Sequence, residues 1–459
     1  MDRFIQNDLV EWSKNPNRKP LVIRGARQVG KSFIVRWLGK THFSDFIELN
    51  LEESPEIEDL FQHNNPKKTL QLLEAYFGRR LTPEKTLIFL DEIQAAPKLF
   101  AKLRFFYESL PNLAVIAAGS LLDLLLAEHE FSMPVGRIEY KHLGPVSFEE
   151  YLLARSESGL IEFLRQYVIS KNTIPEPIHK KLLNLVREFQ IIGGMPEAVM
   201  RYIQTQSFLE ADQIKQSILS TYKDDFNKYR KRIDIQVLNK VFLAIPRMIG
   251  KKFKYTEIDS YEHSRQLSKS LQLLCQARVG IKARRTFGNG LPLGAEADNR
   301  NFKVLFLDVG LVSSATGLRI FELPDNPKHL IVNRGPVCEQ FIGQHLLYLQ
   351  PSYVDPELYY WERIEKSASA EVDYVIVQGP QVVPVEVKAG KTGTLKSLHF
   401  FMASKKFPIA VRFNADQPSV CRVNASSLSI PAHSYELVSL PLYLVQQLPR
   451  ILQIQISHL

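Results

Sequence analysis

Gly25, Gly30, Lys31 and Ser32 stand in the stretch RGARQVGKS with the spacing G-x-x-x-x-G-K-S. Glycines at those two places let a backbone turn tightly and aim its N–H groups at phosphate oxygens. A lysine after them can reach the outer phosphates, and a serine hydroxyl can ligate Mg²⁺. Gly25, Ala26, Arg27, Gln28, Val29, Gly30, Lys31 and Ser32 therefore read as a cradle for a nucleoside triphosphate. The flanks supply strand, loop and helix: LVI before it, and FIVRWL after it with amphipathic spacing. A helix that starts there points its positive end at the anion. The competing reading is a chance glycine turn with an exposed lysine, which needs no such flanks.

A second element agrees with the cradle. TLIFLDEIQ is an apolar, strand-like run that ends in two carboxylates. Asp91 at the strand end can hold Mg²⁺, and Glu92 can polarise an attacking water. Standing alone, the same run would read as a buried strand whose acids cap the next helix. With the cradle upstream, the two strands are expected as neighbours in one parallel sheet. NLAVIAAGS is a further core strand, and Ser120 at its end either senses the γ-phosphate or caps the Leu121–Leu126 run. Arg137 in PVGRIEYKHLGP is a candidate arginine finger, since arginine is always charged and forks onto phosphate oxygens. A solvated surface arginine is the alternative.

A separate constellation lies near the end of the chain. EVDYVIVQGPQVVPVEVKAG contains two β-rich segments around a turn at Gln378-Gly379-Pro380. Asp373 lies on the first segment. Glu386 and Lys388 lie on the second, two apart and so on one face. Two carboxylates can bind Mg²⁺ and a lysine can orient water, which is the chemistry of metal-assisted phosphodiester hydrolysis. The spacing D-x12-E-x-K is that of the PD-(D/E)XK nuclease core, with Val372 where the name has proline. Glu339, in RGPVCEQFIGQHLLYL, falls on the preceding helix, where such nucleases often place another metal-binding carboxylate. The short D…E-x-K pattern also arises by chance on solvated hairpins. The order helix, strand, strand is what favours the nuclease-like fold.

The elements between these sites must position them. From about Phe148 to Tyr229 apolar residues recur three and four apart, which is a helical pattern, broken by a turn at GGMPEAV that reads as close packing. VFLAIPRMIG, YTEID and SRQLSKSLQLLCQARVG then read as three helices. ARVGIKARRTF and KVLFLDVGL follow as a strand pair, the order of a winged helix-turn-helix. Arg265 and Lys269 fall on the third helix, and Arg278, Lys282, Arg284 and Arg285 on or near the wing. These could hold a phosphate backbone, or form a solvated basic face on a packing module. The stretch LVSLPLYLVQQLPRILQ is apolar with helical periodicity after Pro441 and reads as core.

The bulk numbers set the frame. A chain of 459 residues, 45% hydrophobic and 23% charged, is long enough for several globular domains. A net charge of +9 admits an acidic partner without requiring one. Three distant cysteines, Cys275, Cys338 and Cys421, match no metal spacing and fit a reducing cytoplasm. There is no signal-peptide pattern and no apolar run of about 18 residues, so no membrane span is expected.

RGARQVGKS, IFLDEIQ, VIAAGS and GRIEYKHLGPVSFEEYL together resemble the AAA-type ATPases of the AAA_14/DUF4143 family. GGMPEAV, TYKDDF, FKVLFLDVGL, RGPVCEQF, EVDYVIV and VPVEVKAG extend the resemblance, in order, over nearly the whole chain. The family more often has threonine at the position of Ser32, and both residues carry the hydroxyl. The resemblance implies ATP as the nucleotide, a winged-helix-like segment and a C-terminal nuclease-like domain. It gives GGMPEAV no chemical role.

The expected architecture is α/β. Residues 1–150 form a P-loop parallel-sheet ATPase domain, 151–230 a helical segment, 231–318 a winged-helix-like domain and 319–459 a restriction-endonuclease-like domain. The leading functional expectation is an Mg²⁺-dependent ATPase acting on nucleic acid in the cytoplasm, with DNA and a second copy of the chain as candidate partners. The alternatives are a non-cleaving ATP-dependent switch or scaffold, and a transcription regulator that uses the basic wing.

Overall fold

The computed structural model describes residues 1–120, 122, 133–169, 173–230, 233–317, 334–365, 368–390, 394–427 and 430–457. The chain divides into two units. The first is Met1–Pro145 with Gln276–Val279 and Pro351–Asp355, and the second is the remainder.

The first unit is a parallel five-stranded sheet in the order β2-β3-β4-β1-β5. Its strands are β1 (Leu21–Arg24), β2 (Asp45–Asn50), β3 (Thr86–Asp91), β4 (Ala114–Ala118) and β5 (Glu139–His142). Every residue of β3 and β4 is buried, the continuous apolar signature of strands covered on both faces. Among the helices that accompany them are α1 (Ile5–Lys14), α2 (Lys31–His42), α3 (Pro66–Phe77) and α4 (Pro97–Ser109). Leu99, Phe100, Leu103 and Phe106 of α4, spaced as one helical face, meet Ile88, Leu90 and Val115 of the sheet in one core.

The strand order corrects one expectation. β1 and β3 are not neighbours: β4 pairs in parallel with both. Apolar strand runs look alike in sequence, so pattern alone does not rank them across a sheet. The insertion matters because it brings the end of β4, with Ser120, between the cradle and the acidic pair. The Leu121–Leu126 run lies, apart from Leu122, outside the described residues.

The second unit begins with helices α5 (Phe148–Ala154), α6 (Ser158–Gln166), α7 (Glu176–Ile192), α8 (Pro196–Thr205) and α9 (Phe208–Asp225). Between α7 and α8 the GGMP turn is a close approach. Gly193 has φ 82°, and a Cβ there would lie 2.0 Å from Asp308 Oδ1. Asp308 also accepts from Gly194 N at 2.6 Å and caps the helix that follows it.

Of the three expected helices of a winged helix, two form, α10 (Ile235–Arg247) and α11 (Ser264–Gln276). The middle one is a three-residue 3-10 turn, Tyr255–Glu257. The strand pair is β6 (Gly280–Thr286) and β7 (Ala297–Phe306), followed by the short helix α12 (Val309–Ala315). β6 pairs in parallel with β8 (Leu358–Glu365) and so joins an eight-stranded sheet ordered β12-β13-β11-β10-β9-β8-β6-β7.

The rest of that sheet is β9 (Ala368–Gln378), β10 (Gln381–Val387), β11 (Ile409–Asn414), β12 (Ser419–Ser427) and β13 (Ile430–Pro441). The expected divisions after residues 230 and 318 therefore fall inside one unit. Backbone pairing between β6 and β8 is long-range in sequence, and local pattern carries no sign of it. The helix α13 (Arg334–Leu346) precedes β8, and α14 (Lys396–Lys405) packs Leu398 and Phe401 against Trp361, Val375 and Tyr435. The apolar C-terminus packs as core, with Leu442, Tyr443, Leu444 and Val445 buried ahead of α15 (Leu448–Ile456). Among the described residues no helix is long and apolar enough to cross a membrane.

Candidate functional site

β1 ends at Arg24 and the chain turns through the cradle into α2. Gly25 is required by space: a Cβ there would lie 2.3 Å from the Leu143 carbonyl oxygen. Gly30, at φ 97°, caps α2 in a left-handed conformation that favours glycine. Gln28 adopts φ 65° in the same loop. Lys31 is buried, and its Nζ donates to the carbonyls of Gly25 at 3.0 Å and Ala26 at 2.7 Å. Burial pushes its pKa down to about 8, although the charges of Glu92 and Asp91 work the other way.

The Ser32 hydroxyl donates to Asp91 Oδ2 at 2.7 Å. Thus the two oxygens that the sequence nominated for Mg²⁺ are in direct contact. Asp91 is buried, which raises its pKa against the opposing hydrogen bond from Ser32. Glu92 follows with φ 52°, so its side chain leaves the line of β3. Its Oε2 accepts from Gln94 Nε2 at 2.5 Å and from Ser120 Oγ at 3.5 Å. Ser120 is therefore in the site beside Glu92.

Arg137 is elsewhere. Glu139 aligns with Leu21 and His142 with Arg24, so Arg137 lies at the N-terminal ends of β1 and β5. The cradle is at the other end, at least about 10 Å away along the strands. Arg137 is half exposed and pairs with Glu108 at 3.1 Å. Sequence reasoning also passed over Arg3. Its buried guanidinium donates to the carbonyls of Val29, Gly144 and Pro145 and so braces the cradle from behind. An arginine near the N-terminus carries no motif, and only the fold brings it there.

The second constellation forms within the second unit. Gln340 of α13 bonds both the N–H and the carbonyl of Phe306, which ties the helix to the end of β7. Phe341, on the same helix as Gln340, packs against Phe148 of α5 and Phe189 of α7. Glu339 is thereby set against β7. The β9–β10 hairpin aligns Val385 with Tyr374, which puts Glu386 beside Asp373. Asp373 Oδ2 accepts from Val387 N at 2.7 Å, and Lys388 Nζ donates to Glu386 Oε1 at 2.5 Å. Burial raises Glu386 to about 7, helped by the charge of Asp373, and raises Glu339 to about 8.

Two further residues belong to this cluster. Lys303 of β7 is buried, with Nζ 2.8 Å from Glu339 Oε1, 2.5 Å from Glu371 Oε1 and 3.7 Å from Asp373 Oδ1. Burial alone would lower its pKa, but Glu339, Asp373 and Glu371 outweigh that and hold it well above the ordinary lysine value. Glu371 had a signal in the sequence, since it lies two residues before Asp373 on one strand. Lys303 had a weaker one, a lysine inside the apolar run KVLF. Among the described residues no group of three or more His, Cys, Asp or Glu is placed to hold a metal ion.

The basic wing is engaged within its own unit. Arg284 pairs with Glu357 at 2.5 Å, Arg285 with Asp298 at 3.5 Å, and the Lys282 ammonium lies 4.4 Å from the Phe302 ring centroid. Arg278 pairs with Asp355 at 2.8 Å in the first unit. Arg265 and Lys269 of α11 are exposed.

Residues 17–152 match the model of an AAA domain of the AAA_14 family. Residues 183–321 match a domain of unknown function, DUF8612, and residues 334–443 another, DUF4143. No curated protein matches the chain. Among solved structures, a Walker-type ATPase of Pyrococcus abyssi is 17% identical with a TM-score of 0.42, covering 68% of this chain and 95% of its own. The Aeropyrum pernix ORC2 protein, in ADPNP and ADP complexes, is 12% identical with a TM-score of 0.35 and shares of 68% and 93%. The Thermotoga maritima RuvB Holliday junction branch migration motor is 15% identical with a TM-score of 0.30 and shares of 61% and 88%.

Proposed function

We propose that this chain, an AAA_14 domain joined to a C-terminal DUF4143 domain, binds and hydrolyses ATP with Mg²⁺ and uses the cycle to switch its C-terminal module. The observation that carries this reading is the convergence of Lys31, Ser32, Asp91 and Glu92 at the ends of β1 and β3. Lys31 binds phosphate oxygens, exchanging two neutral carbonyls for an anion. The Ser32 hydroxyl and Asp91 are hard oxygen donors that would hold Mg²⁺. When bound, the ion neutralises charge on the phosphates. Glu92 orients the attacking water and takes its proton. Gln94 and Ser120 hold the Glu92 carboxylate in place. An arginine finger at Arg137 would have to act on a neighbouring copy of the chain, given its separation from its own cradle.

The test is phosphate release by purified protein with ATP and Mg²⁺. Lys31→Ala should lose nucleotide affinity, and Glu92→Gln should keep affinity and lose turnover. Unchanged ATP affinity in Lys31→Ala sinks the cradle reading.

For the target of the switch, nucleic acid is supported by the net charge of +9 and by the D…E-x-K pattern on the β9–β10 hairpin. In that reading Asp373, Glu386, Lys388 and Glu339 cut a phosphodiester. A second reading, a non-cleaving switch that grips DNA or a protein, is favoured by Lys303 standing among the carboxylates. Supercoiled plasmid with Mg²⁺ or Mn²⁺, with and without ATP, separates them. Nicking that Glu386→Ala abolishes supports cutting, and intact plasmid from ATP-hydrolysing protein supports the switch.

A further inference from the structure

We propose that the Lys303 ammonium occupies the cation position of the C-terminal carboxylate cluster, so that this site is completed from within the chain and takes no divalent metal. A nuclease of the PD-(D/E)XK kind needs Mg²⁺ between its carboxylates, and the residues present do not fit that ion. Two of the carboxylates that would ligate it already face Lys303 Nζ, Glu339 at 2.8 Å and Asp373 at 3.7 Å, and Glu371 joins them at 2.5 Å. At 2.8 and 2.5 Å the ammonium is within hydrogen-bond distance of Glu339 and Glu371, and at 3.7 Å it faces Asp373 by charge alone, so it supplies positive charge where a divalent ion would. The other oxygen of Asp373 accepts from Val387 N, and Glu386 Oε1 accepts from Lys388 Nζ.

The position of Lys303 is built in. It sits on β7, which α13 clamps through Gln340, and its side chain is 3% exposed. The ammonium lies over the ring of Tyr360, itself buried, at 5.4 Å from the centroid. One atom records what the lysine leaves undone. Glu386 Oε2 is buried and has no hydrogen-bond partner, and Glu386 itself is 5% exposed. It is the acceptor that remains for a cation once Lys303 is removed. Glu339, Glu371 and Asp373 then lose the cation they share.

This inference rests on the non-cleaving reading above, and it is read by a different measurement, so that either can fail without the other. The experiment is Mn²⁺ titration of the full-length protein without nucleotide, followed by electron paramagnetic resonance of free Mn²⁺, for wild type, Glu386→Gln, Lys303→Ala and Lys303→Ala with Glu386→Gln. Wild type and Glu386→Gln should be alike. Lys303→Ala should gain one Mn²⁺ site, tighter than anything in wild type by about tenfold or more, and the double variant should lose it. A wild-type site that Glu386→Gln abolishes overturns the proposal. So does folded Lys303→Ala that gains nothing. If Lys303→Ala does not fold, the wild-type pair decides alone: Mn²⁺ binding unchanged by Glu386→Gln lies elsewhere and upholds a closed cluster.

Discussion

Lys31 and Lys303 are both buried, and their surroundings push them in opposite directions. Lys31 donates to two neutral carbonyls, and burial brings its pKa down to about 8. Lys303 donates to carboxylates, which hold its pKa well above the ordinary value despite equal burial. A cation that is desolvated without a full counter-charge gains most when an anion arrives. One already ringed by carboxylates gains little. That contrast fits a first site that receives a phosphate, as proposed above, while the second is internally neutralised.

The sharpest way to break this contrast is turnover. Glu92→Gln should lower kcat for ATP hydrolysis by roughly 10²–10⁴-fold with ATP affinity retained, read from steady-state phosphate release beside nucleotide titration. Retained turnover would remove Glu92 from the chemistry.

Stability tests both lysines in one experiment. Lys303→Met strands three carboxylates and should destabilise the second unit by about 3–5 kcal/mol. Lys31→Met removes a poorly compensated buried cation and should leave the nucleotide-free first unit unchanged or more stable by about 1–2 kcal/mol. Urea unfolding of both variants at neutral pH reads the signs. Equal losses would mean that the two environments do not differ as described.

The pH dependence of nucleotide binding follows from Lys31. With its pKa lowered to about 8 in the nucleotide-free fold, the side chain is charged below that pH and neutral above it. Phosphate stabilises the charged form, so ATP affinity should fall as pH rises through about 8. Titration calorimetry above that pH, in buffers of different ionisation enthalpy, should record proton uptake on binding. Affinity that is flat between pH 7 and about pH 9.5 would contradict the lowered value.

The smallest expected effect is on the wing. Arg284 and Arg285 are engaged with Glu357 and Asp298, so their joint replacement by alanine should change DNA affinity by less than about twofold and stability by about 1 kcal/mol or less. A lowered salt slope of DNA binding in that variant would restore the wing as a phosphate-binding surface.

Much of the first site was legible because its parts are local. RGARQVGKS carries its own turn, and TLIFLDEIQ carries its own strand and acids. The order β3-β4-β1 was not legible, since apolar strands give no rank, and with it went the neighbourhood of Ser120 and Glu92. In the second site, the hairpin joining Asp373 to Glu386 was readable from the turn at Gln378-Gly379-Pro380 and from alternation. Lys303 was not, because its contacts come from residues 36, 68 and 70 positions further along the chain.

The sequence by itself determined the chemistry available: which loop can cradle phosphate, which carboxylates can meet a cation, which runs are strands or helices. Those follow from residue type and short-range periodicity. The tertiary structure decided what each charge faces. Strand pairing across distant segments put Arg137 at the far end of its sheet, merged the wing into an eight-stranded sheet and drove a lysine between carboxylates. Electrostatic energy depends on distance and burial, and those quantities exist only once the chain has folded.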